Sequence, residues 1–283
     1  FSCRIAVGAL IAIFAGLLFI FCIFPIIYRY SYSIQRNLLF LNFVSVPVDY
    51  KNPSRLNLLG ARNFYITTND SVTIGIWSLL PRLLLHNTAN GPATDVEFDE
   101  WLGRGDTIFL YMHGNSGNRG ASHRVELYKV LQQNNFHVIA FDYRSYGDSS
   151  PVEATEEGVV SDTKAVYKWL KEKAKDSKIF FWGHSLGTGI SSHALDDLES
   201  EGESITGLVL ECPFNNMKDE IRAYPLSKVY RILPWFDYFF TDAMYENGLQ
   251  FETDKHLSKV KTPILILHAE DDVVVPFKLG LKV

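Results

Sequence analysis

Short apolar runs alternate with amphipathic stretches over most of the chain. The runs are rich in β-branched and aromatic residues and lie at Val72–Trp77, Thr107–Met112, His137–Asp142, Ile179–Trp182, Leu208–Glu211 and Ile264–Leu267. Continuously apolar strands that are separated by helices are typical of a parallel sheet covered on both faces. The interval 155–173 carries Val159, Val166 and Leu170 at helical spacing and predicts one such helix. The pattern therefore predicts an α/β fold with a mostly parallel sheet.

A long uncharged run precedes this pattern. The 23 residues from Ile5 to Ile27 are almost wholly apolar. At about 1.5 Å per residue, a helix of this length spans roughly 34 Å, which is enough to cross a hydrocarbon core of about 30 Å. Tyr28, Tyr30 and Tyr32 then resemble an interfacial aromatic belt. A buried core helix is the alternative, but we expect residues 1–36 to form a transmembrane anchor with a juxtamembrane segment.

The regular pattern breaks in three places. Residues 38–48 are apolar and aromatic, and they either lie on a membrane surface or cover the first strands. Residues 86–105 are polar and predict a surface loop. An aromatic-rich insertion, the cap segment (about 215–251), falls between two predicted strands. We expect it to lie over the carboxyl ends of the strands, where α/β proteins bind ligands, within one domain formed by residues 37–283.

Composition is that of a globular protein. The chain has 283 residues, of which 47% are hydrophobic and 21% charged, and this fits one large domain with a sizeable core. The net charge is -5 and no block of Lys and Arg is present, so nothing favours nucleic-acid binding. Cys3 and Cys22 lie in or beside the apolar run, which leaves Cys212 without an intradomain partner. Because the first residue is Phe1 rather than Met, we expect a fragment or a processed product.

The most informative motif is a GxSxG sequence. Gly183-His184-Ser185-Leu186-Gly187 follows an apolar strand and opens a helix-like segment, which is the setting of a nucleophile elbow. Two flanking glycines permit a turn in which a Cβ would clash. We therefore predict that Ser185 is a nucleophile, lifted clear of the strand and placed beside the positive end of the following helix. The alternative is a glycine-rich turn with an idle serine.

Acyl transfer to a serine also requires donors for the tetrahedral oxyanion. One should be the backbone N–H of Leu186, the residue after the nucleophile. The other should come from the loop after an earlier strand, and His113-Gly114-Asn115-Ser116-Gly117 is such a small-residue loop. We assign the second donor to the Asn115 amide, with Gly114 and His113 in supporting roles. An ordinary strand–helix turn is the alternative.

The acid and the base follow from chain order, which is Ser, Asp or Glu, then His on this scaffold. The strand at 264–267 leads into an acidic turn, where we choose Asp272, with Asp271 and Glu270 as alternates. No histidine lies beyond Asp272, and we expect structural roles for His184 and His268. The catalytic histidine and the last sheet elements are therefore expected beyond Val283. Ser, His, Asp and two amides suffice for the chemistry, so we expect neither a metal nor an organic cofactor.

Membrane orientation is indicated by one short motif. Asn69-Asp70-Ser71 is a glycosylation sequon, which only a lumenal or extracellular domain would use. We therefore expect a lumenal domain that is glycosylated at Asn69.

Several longer phrases resemble the membrane-anchored α/β-hydrolase domain-containing lipases that act on monoacylglycerols and lysophosphatidylserine. The phrases are Leu41-Asn-Phe-Val, Leu110-Tyr-Met-His-Gly-Asn, His123-Arg-Val-Glu-Leu-Tyr-Lys-Val, Phe141-Asp-Tyr-Arg, Trp182-Gly-His-Ser-Leu-Gly-Thr-Gly, Phe236-Asp-Tyr-Phe-Phe and Leu267-His-Ala-Glu-Asp-Asp. Together they cover nearly everything after the anchor and are far more specific than GxSxG. The chain departs from the family at the C-terminus, where the family's histidine has no counterpart.

The resemblance implies an α/β-hydrolase domain at 37–283 and a single-pass protein of the endoplasmic reticulum membrane with a lumenal catalytic domain. It also implies Ser185 as nucleophile and Asp272 as acid. The predicted function is a serine hydrolase that cleaves monoacyl lipid esters drawn from the bilayer. Two alternatives stay open: a thioesterase acting on acylated proteins, and an inactive, truncated membrane protein that binds lipid or a partner. The sequence does not indicate an oligomeric state.

Overall fold

The computed structural model describes residues 2–88 and 93–283, and its centre is a seven-stranded sheet. The strands are β1 (Ala61–Thr67), β2 (Thr73–Leu79), β3 (Thr107–Met112), β4 (His137–Phe141), β5 (Lys178–His184), β6 (Gly207–Glu211) and β7 (Ile264–Leu267). The α-helices are α1 (Ser2–Leu18), α2 (Phe24–Tyr30), α3 (Tyr32–Phe40), α4 (Asp95–Leu102), α5 (Ser122–Gln133), α6 (Glu156–Ala174), α7 (Leu186–Ser200), α8 (Met217–Ala223), α9 (Asp242–Glu246), α10 (Thr253–Leu257) and α11 (Phe277–Gly280). Short 3₁₀ or π turns occupy Phe19–Ile23, Pro53–Leu56, Arg82–Thr88, Pro225–Val229 and Asp237–Thr241.

The strand order is β1-β2-β4-β3-β5-β6-β7. β1 and β2 are antiparallel to their neighbours, and all other pairs are parallel. At the carboxyl ends, Met112 of β3 pairs with Gly183 of β5, and Glu211 of β6 pairs with both His184 and Leu267. The turns that follow β3, β5, β6 and β7 therefore start side by side at one edge of the sheet.

Side chains that alternate along the strands enter two separate cores. Ile108 and Leu110 of β3 pack with residues of α6 and α7, whereas Phe109 and Tyr111 pack with residues of α5. Because successive strand residues point to opposite faces, helices cover both faces of the sheet. This confirms the predicted α/β architecture and explains why the central strands are apolar at nearly every position.

The predicted helix at 155–173 is confirmed as α6. Thr155 is its N-cap and accepts a hydrogen bond from the N–H of Gly158 at 3.0 Å. Acidic residues occupy its first turn and basic residues its last, which suits the helix dipole. The six predicted strands are also observed, with ends that differ by no more than two residues.

The prediction of a surface loop at 86–105 is wrong for 95–102, which form α4. Thr94 and Glu97 form a reciprocal capping box at its start, and Phe98 and Trp101 are buried. The capping box and the burial of one apolar face thus stabilise α4, although most of the interval is polar. Residues 89–92 of the interval lie outside the described part of the chain.

One helix in the described residues is long and apolar enough to cross a membrane. It runs from Arg4 to Tyr30 through α1 and α2, with a mean hydropathy of 3.0 in its most apolar window. Only 6% of that window is buried, so the helix is not the buried core helix considered as the alternative. Its apolar side chains face outward, as those of a membrane anchor do.

Candidate functional site

Ser185 occupies a strained turn between β5 and α7. Its φ is 51° and its ψ is −116°, a combination that is costly for a residue with a side chain. Its N–H donates to the Glu211 carbonyl at 2.9 Å, and its carbonyl accepts from the Thr188 N–H at 2.8 Å. The surrounding strands and helix therefore hold the turn in place, in the strand–turn–helix order that the sequence predicts.

Two glycines leave room for this turn. A Cβ at Gly183 would come closer than 3.0 Å to Ser191 Oγ and to the Gly187 carbonyl. A Cβ at Gly187 would come equally close to the Met112 carbonyl at the end of β3. Side chains at either position would displace backbone, so the serine turn and the end of β3 pack directly on one another.

The loop at 113–117 lies against the serine turn. A Cβ at Gly114 would lie only 3.2 Å from Ser185 Cβ and 3.1 Å from His184 Nδ1. Among the residues that the structure describes, none accepts a hydrogen bond from the backbone N–H of Asn115 or of Leu186. Two unused amides therefore occur in the two segments that meet at Ser185.

The segment at 38–48 holds this loop from outside. The contacts are Asn115 Nδ2 to the Leu39 carbonyl (3.1 Å), Ser116 N–H to the Phe40 carbonyl (3.0 Å), Gly117 N–H to the Val44 carbonyl (2.6 Å) and Asn118 Nδ2 to the Val46 carbonyl (3.1 Å). The amides of Ser116 and Gly117 are thus already used, whereas that of Asn115 is not. The sequence left the role of 38–48 open, and the structure shows that it braces the loop.

Arg124 holds the same loop from inside, and sequence reasoning missed it. Its guanidinium is buried and donates to the carbonyls of Gly114 (3.2 Å), Ser116 (2.9 Å) and Asn118 (2.7 Å). In a planar trans peptide the C=O and N–H point in opposite directions. Because the Gly114 carbonyl points to Arg124, the Asn115 N–H in the same peptide unit points away from it. Every hydrogen-bond acceptor of Arg124 in the described residues is a backbone carbonyl of residues 114–118, so its charge is directed at the loop.

His113 is fully buried at the start of the loop. Its Nδ1 lies 2.7 Å from the Gly114 carbonyl, so Nδ1 carries the proton, and its Nε2 lies 3.3 Å from Asp142. Burial, and then the charge of Arg124, lower the pKa of His113 below its ordinary value. Its own carbonyl accepts from Tyr143 Oη at 3.1 Å. The ring is thus engaged in holding the loop.

Asp272 follows β7 and is half-buried, whereas its alternates Glu270 and Asp271 are exposed. Its Oδ1 accepts from the N–H groups of Val274 (2.8 Å) and Val275 (2.9 Å). Burial opposes ionisation, but these hydrogen bonds outweigh it and lower the pKa of Asp272 below its ordinary value. The carboxylate is therefore ionised at neutral pH and held in one orientation, two strands from Ser185.

Glu220 on α8 is a second acid near Asp272 that the sequence did not indicate. Its Oε2 is buried without a hydrogen-bond partner in the described residues. Burial, with a smaller contribution from the Asp272 charge, raises the pKa of Glu220 to about 8. At neutral pH the two neighbouring carboxyl groups are therefore in opposite ionisation states, with Glu220 protonated and Asp272 charged.

Two histidines, His184 and His268, lie near the site. Burial, and then the charge of Arg124, lower the pKa of His184 to about 4, and its Nδ1 has no partner in the described residues. His268 Nε2 lies 2.8 Å from the Val275 carbonyl and 3.8 Å from Asp272 Oδ2. Across residues 4–86 and 93–283, no imidazole is hydrogen-bonded to Ser185. The described residues thus place the 113–117 loop against Ser185 and Asp272 two strands away, and none of them supplies an imidazole to Ser185.

The cap segment contains α8 and α9. Its ends are joined where Met217 N–H donates to the Gln250 carbonyl at 2.9 Å, and Asp254 N–H donates to the Asn215 carbonyl at 3.1 Å. Glu156 of α6 also accepts from the N–H of Phe251 at 2.9 Å. These bonds hold the two ends of the cap segment beside the end of β6, near Asp272.

The sheet order, the serine turn and the acid after a late strand define an α/β hydrolase. The family profile of the alpha/beta hydrolase fold matches residues 107–224. Solved structures share the fold: an esterase of Pyrococcus furiosus (TM-score 0.61, 21% identity, 84% of this chain and 80% of that one) and an alpha-beta hydrolase of Vibrio vulnificus (TM-score 0.65, 17% identity, 88% and 79%).

Three curated relatives show to which family of α/β hydrolases the chain belongs. Lysophosphatidylserine lipase ABHD12 of Danio rerio is 41% identical over 94% of this chain and 69% of its own length, and that of Mus musculus is 41% identical over 91% and 65%. Protein ABHD12B of Homo sapiens is 38% identical over 87% and 67%. The chain belongs to this ABHD12 family of α/β hydrolases and spans about two thirds of the length of these relatives.

Proposed function

We propose that the chain is a membrane-anchored serine hydrolase that cleaves monoacyl lipid esters through an acyl-enzyme on Ser185. The observation that carries this proposal is the 114–115 peptide, whose carbonyl is held by Arg124 while its N–H stays unused beside Ser185. Together with the Leu186 N–H at the start of α7, it supplies two donors for a developing oxyanion.

In the proposed mechanism, a neutral imidazole removes the proton of Ser185 as Oγ attacks the ester carbonyl carbon. The N–H groups of Asn115 and Leu186 stabilise the negative oxygen of the tetrahedral intermediate. The imidazolium, oriented by the Asp272 carboxylate, gives its proton to the departing glycerol oxygen, and the ester C–O bond breaks. Water then attacks the acyl-enzyme by the same steps and releases the fatty acid and free Ser185.

The substrate class is proposed from the relatives, which are named lysophosphatidylserine lipases. We expect a C-terminally extended form of the protein to release fatty acid from lysophosphatidylserine and monoacylglycerol in vesicles. Mass spectrometry of released fatty acid, with an S-acylated peptide as competitor, measures the preference. If the acyl-peptide is hydrolysed in preference to both lipids, the thioesterase alternative replaces this proposal.

The location of the base stays a prediction, and labelling tests it. A serine-directed fluorophosphonate needs the base to activate Ser185. We expect the chain that ends at Val283 to label at least about 100-fold more slowly than an extended form, in keeping with the contribution of general bases. Equal labelling of the two forms, abolished in both by Ser185→Ala, would show that the base lies within the present chain.

We further propose a single-pass protein of the endoplasmic reticulum with a lumenal catalytic domain. Asn69 and Ser71 are exposed in the turn between β1 and β2, so a glycosyltransferase would find the sequon accessible. In microsomes we expect a glycosidase to increase gel mobility of the wild type but not of Asn69→Gln, and external protease to spare the domain. Unchanged mobility together with digestion from the cytosolic side would reverse the topology.

A further inference from the structure

The cap segment packs against the anchor several residues before Ile27, where the apolar run of the anchor ends. Tyr230 Oη donates to the Ile20 carbonyl at 3.2 Å. The Tyr230 ring lies 6.0 Å from that of Phe21 and 6.2 Å from that of Phe24, measured between centroids. Phe240 belongs to the same group, with its ring centroid 6.3 Å from that of Phe24 and the two rings tilted. The anchor and the cap segment therefore share an aromatic interface that fixes the height of one against the other.

The contacts form two levels along the anchor. Near its end, Arg29 pairs with Glu246 at 2.6 Å and lies over the Tyr238 ring at 4.5 Å. At about 1.5 Å per residue, Ile20 lies roughly 10 Å deeper than Ile27, where the apolar run ends. If the anchor spans a bilayer, Tyr238 is at the level of the headgroups and Tyr230 is at the level of the acyl chains. Such a depth is typical of protein segments that lie in one leaflet, which reach about 5–10 Å below the boundary.

The side chains around Tyr230 are apolar and uncovered. Leu226 is 75% exposed, Val229 51% and Ile232 80%. We call residues 224–238 the cap ridge. Three large aliphatic residues exposed to this degree on one short stretch are costly in water, but not in hydrocarbon at the depth that the anchor contacts set.

Two cations accompany them. Lys228 and Arg231 are exposed on the cap ridge. Arg231 Nη1 donates to the Arg222 carbonyl at 3.0 Å, and no carboxylate in the described part of the chain pairs with either cation. Long basic side chains beside inserted apolar residues reach back to lipid phosphates. The distribution of charge thus also fits the boundary between headgroups and acyl chains.

We propose that the cap ridge inserts into the acyl region of the leaflet in which the anchor ends. The occupant of this surface is lipid, and the insertion holds the site's cap in the membrane through Leu226, Val229 and Ile232. This inference rests on the proposed membrane anchor, and it places entry of a monoacyl lipid at the membrane rather than through water.

Probes attached to single cysteines in full-chain proteoliposomes test the depth without requiring catalysis. In a background with Cys3, Cys22 and Cys212 replaced by alanine, Ile232→Cys carries a fluorophore, and Leu226→Cys is a second site. Val130→Cys on α5 is the matched control, because Val130 is an exposed aliphatic residue (53%) away from the cap. Natural Cys22, retained in another version, reports on the anchor.

Quenching by phosphatidylcholine with a nitroxide on its acyl chain should be at least about fivefold stronger at Ile232 and Leu226 than at Val130, as insertion by 5–10 Å requires. If Cys22 is quenched but both ridge probes are quenched no more than the probe at position 130, the proposed insertion of the cap ridge is wrong and the proposed membrane anchor is retained. If Cys22 is not quenched either, the proposal that this helix is a membrane anchor is wrong. Ridge probes shielded from both nitroxide lipid and aqueous iodide would indicate a protein contact and would also overturn the proposal.

Discussion

Replacing Ser185 with alanine lowers ester hydrolysis by about 10⁴- to 10⁶-fold, the range expected when a catalytic serine is removed. The substitution deletes the only atom that forms the acyl-enzyme and leaves the turn unchanged, because alanine meets the same φ of 51°. Initial rates of fatty-acid release from lysophosphatidylserine by an extended form measure the effect. The melting temperature should stay within about 2 °C, since the hydroxyl makes no hydrogen bond in the described structure.

Ser192→Ala is the matched control for this change. Ser192 is a buried serine on α7 whose Oγ donates to the Thr188 carbonyl at 2.7 Å. Its loss should cost about 1 kcal/mol of unfolding free energy and leave the rate within about twofold. A Ser185→Ala protein that retains more than about a hundredth of the wild-type rate would exclude the acyl-enzyme mechanism, since water and binding alone do not supply that rate.

Much of the sheet is readable from sequence, for a physical reason. β3 is buried on both faces, and β5 is buried on one face and half-buried on the other, so their apolar residues run without interruption and mark their positions. β1 was missed because it lies at the edge of the sheet, pairs with β2 alone and is only half-buried. Its residues include Arg62 and Asn63, which no rule for buried strands selects.

The serine turn was readable because its steric demand falls on glycines at fixed spacing. Arg124 was not, although it lies in a phrase that resembles the lipase family, because its four partners are backbone carbonyls of a loop. A sequence shows which side chains are present but not which carbonyls a loop turns inward. The pairing of Arg29 with Glu246 was equally hidden, since 217 positions separate the two residues.

Replacing Arg124 with methionine lowers kcat by about 10²- to 10³-fold, the loss that follows removal of one oxyanion donor. The side chains have similar length, but methionine donates no hydrogen bond, so the carbonyls of Gly114, Ser116 and Asn118 lose their shared partner. The Gly114 carbonyl then keeps only its hydrogen bond from His113 Nδ1, so the 114–115 peptide is held less firmly and its N–H is no longer fixed beside Ser185 in every molecule. KM should change by less than about threefold, because the ground-state ester carbonyl depends less on this donor than the oxyanion does. Arg124→Lys should recover little, since one ammonium cannot reproduce the planar fork.

Gln132→Met separates this positioning effect from simple loss of stability. Gln132 lies on the same helix, is buried, and donates to the carbonyls of Leu59 (2.8 Å) and Leu80 (2.6 Å), far from the serine turn. Both substitutions remove buried hydrogen bonds to backbone carbonyls, which costs about 1–3 kcal/mol for each carbonyl left without a donor, so both lower the melting temperature. Only Arg124→Met should lower kcat and slow fluorophosphonate labelling at a temperature where both proteins are folded. If the two variants lose activity in proportion to their loss of stability, Arg124 is a structural residue and the Asn115 amide does not depend on it.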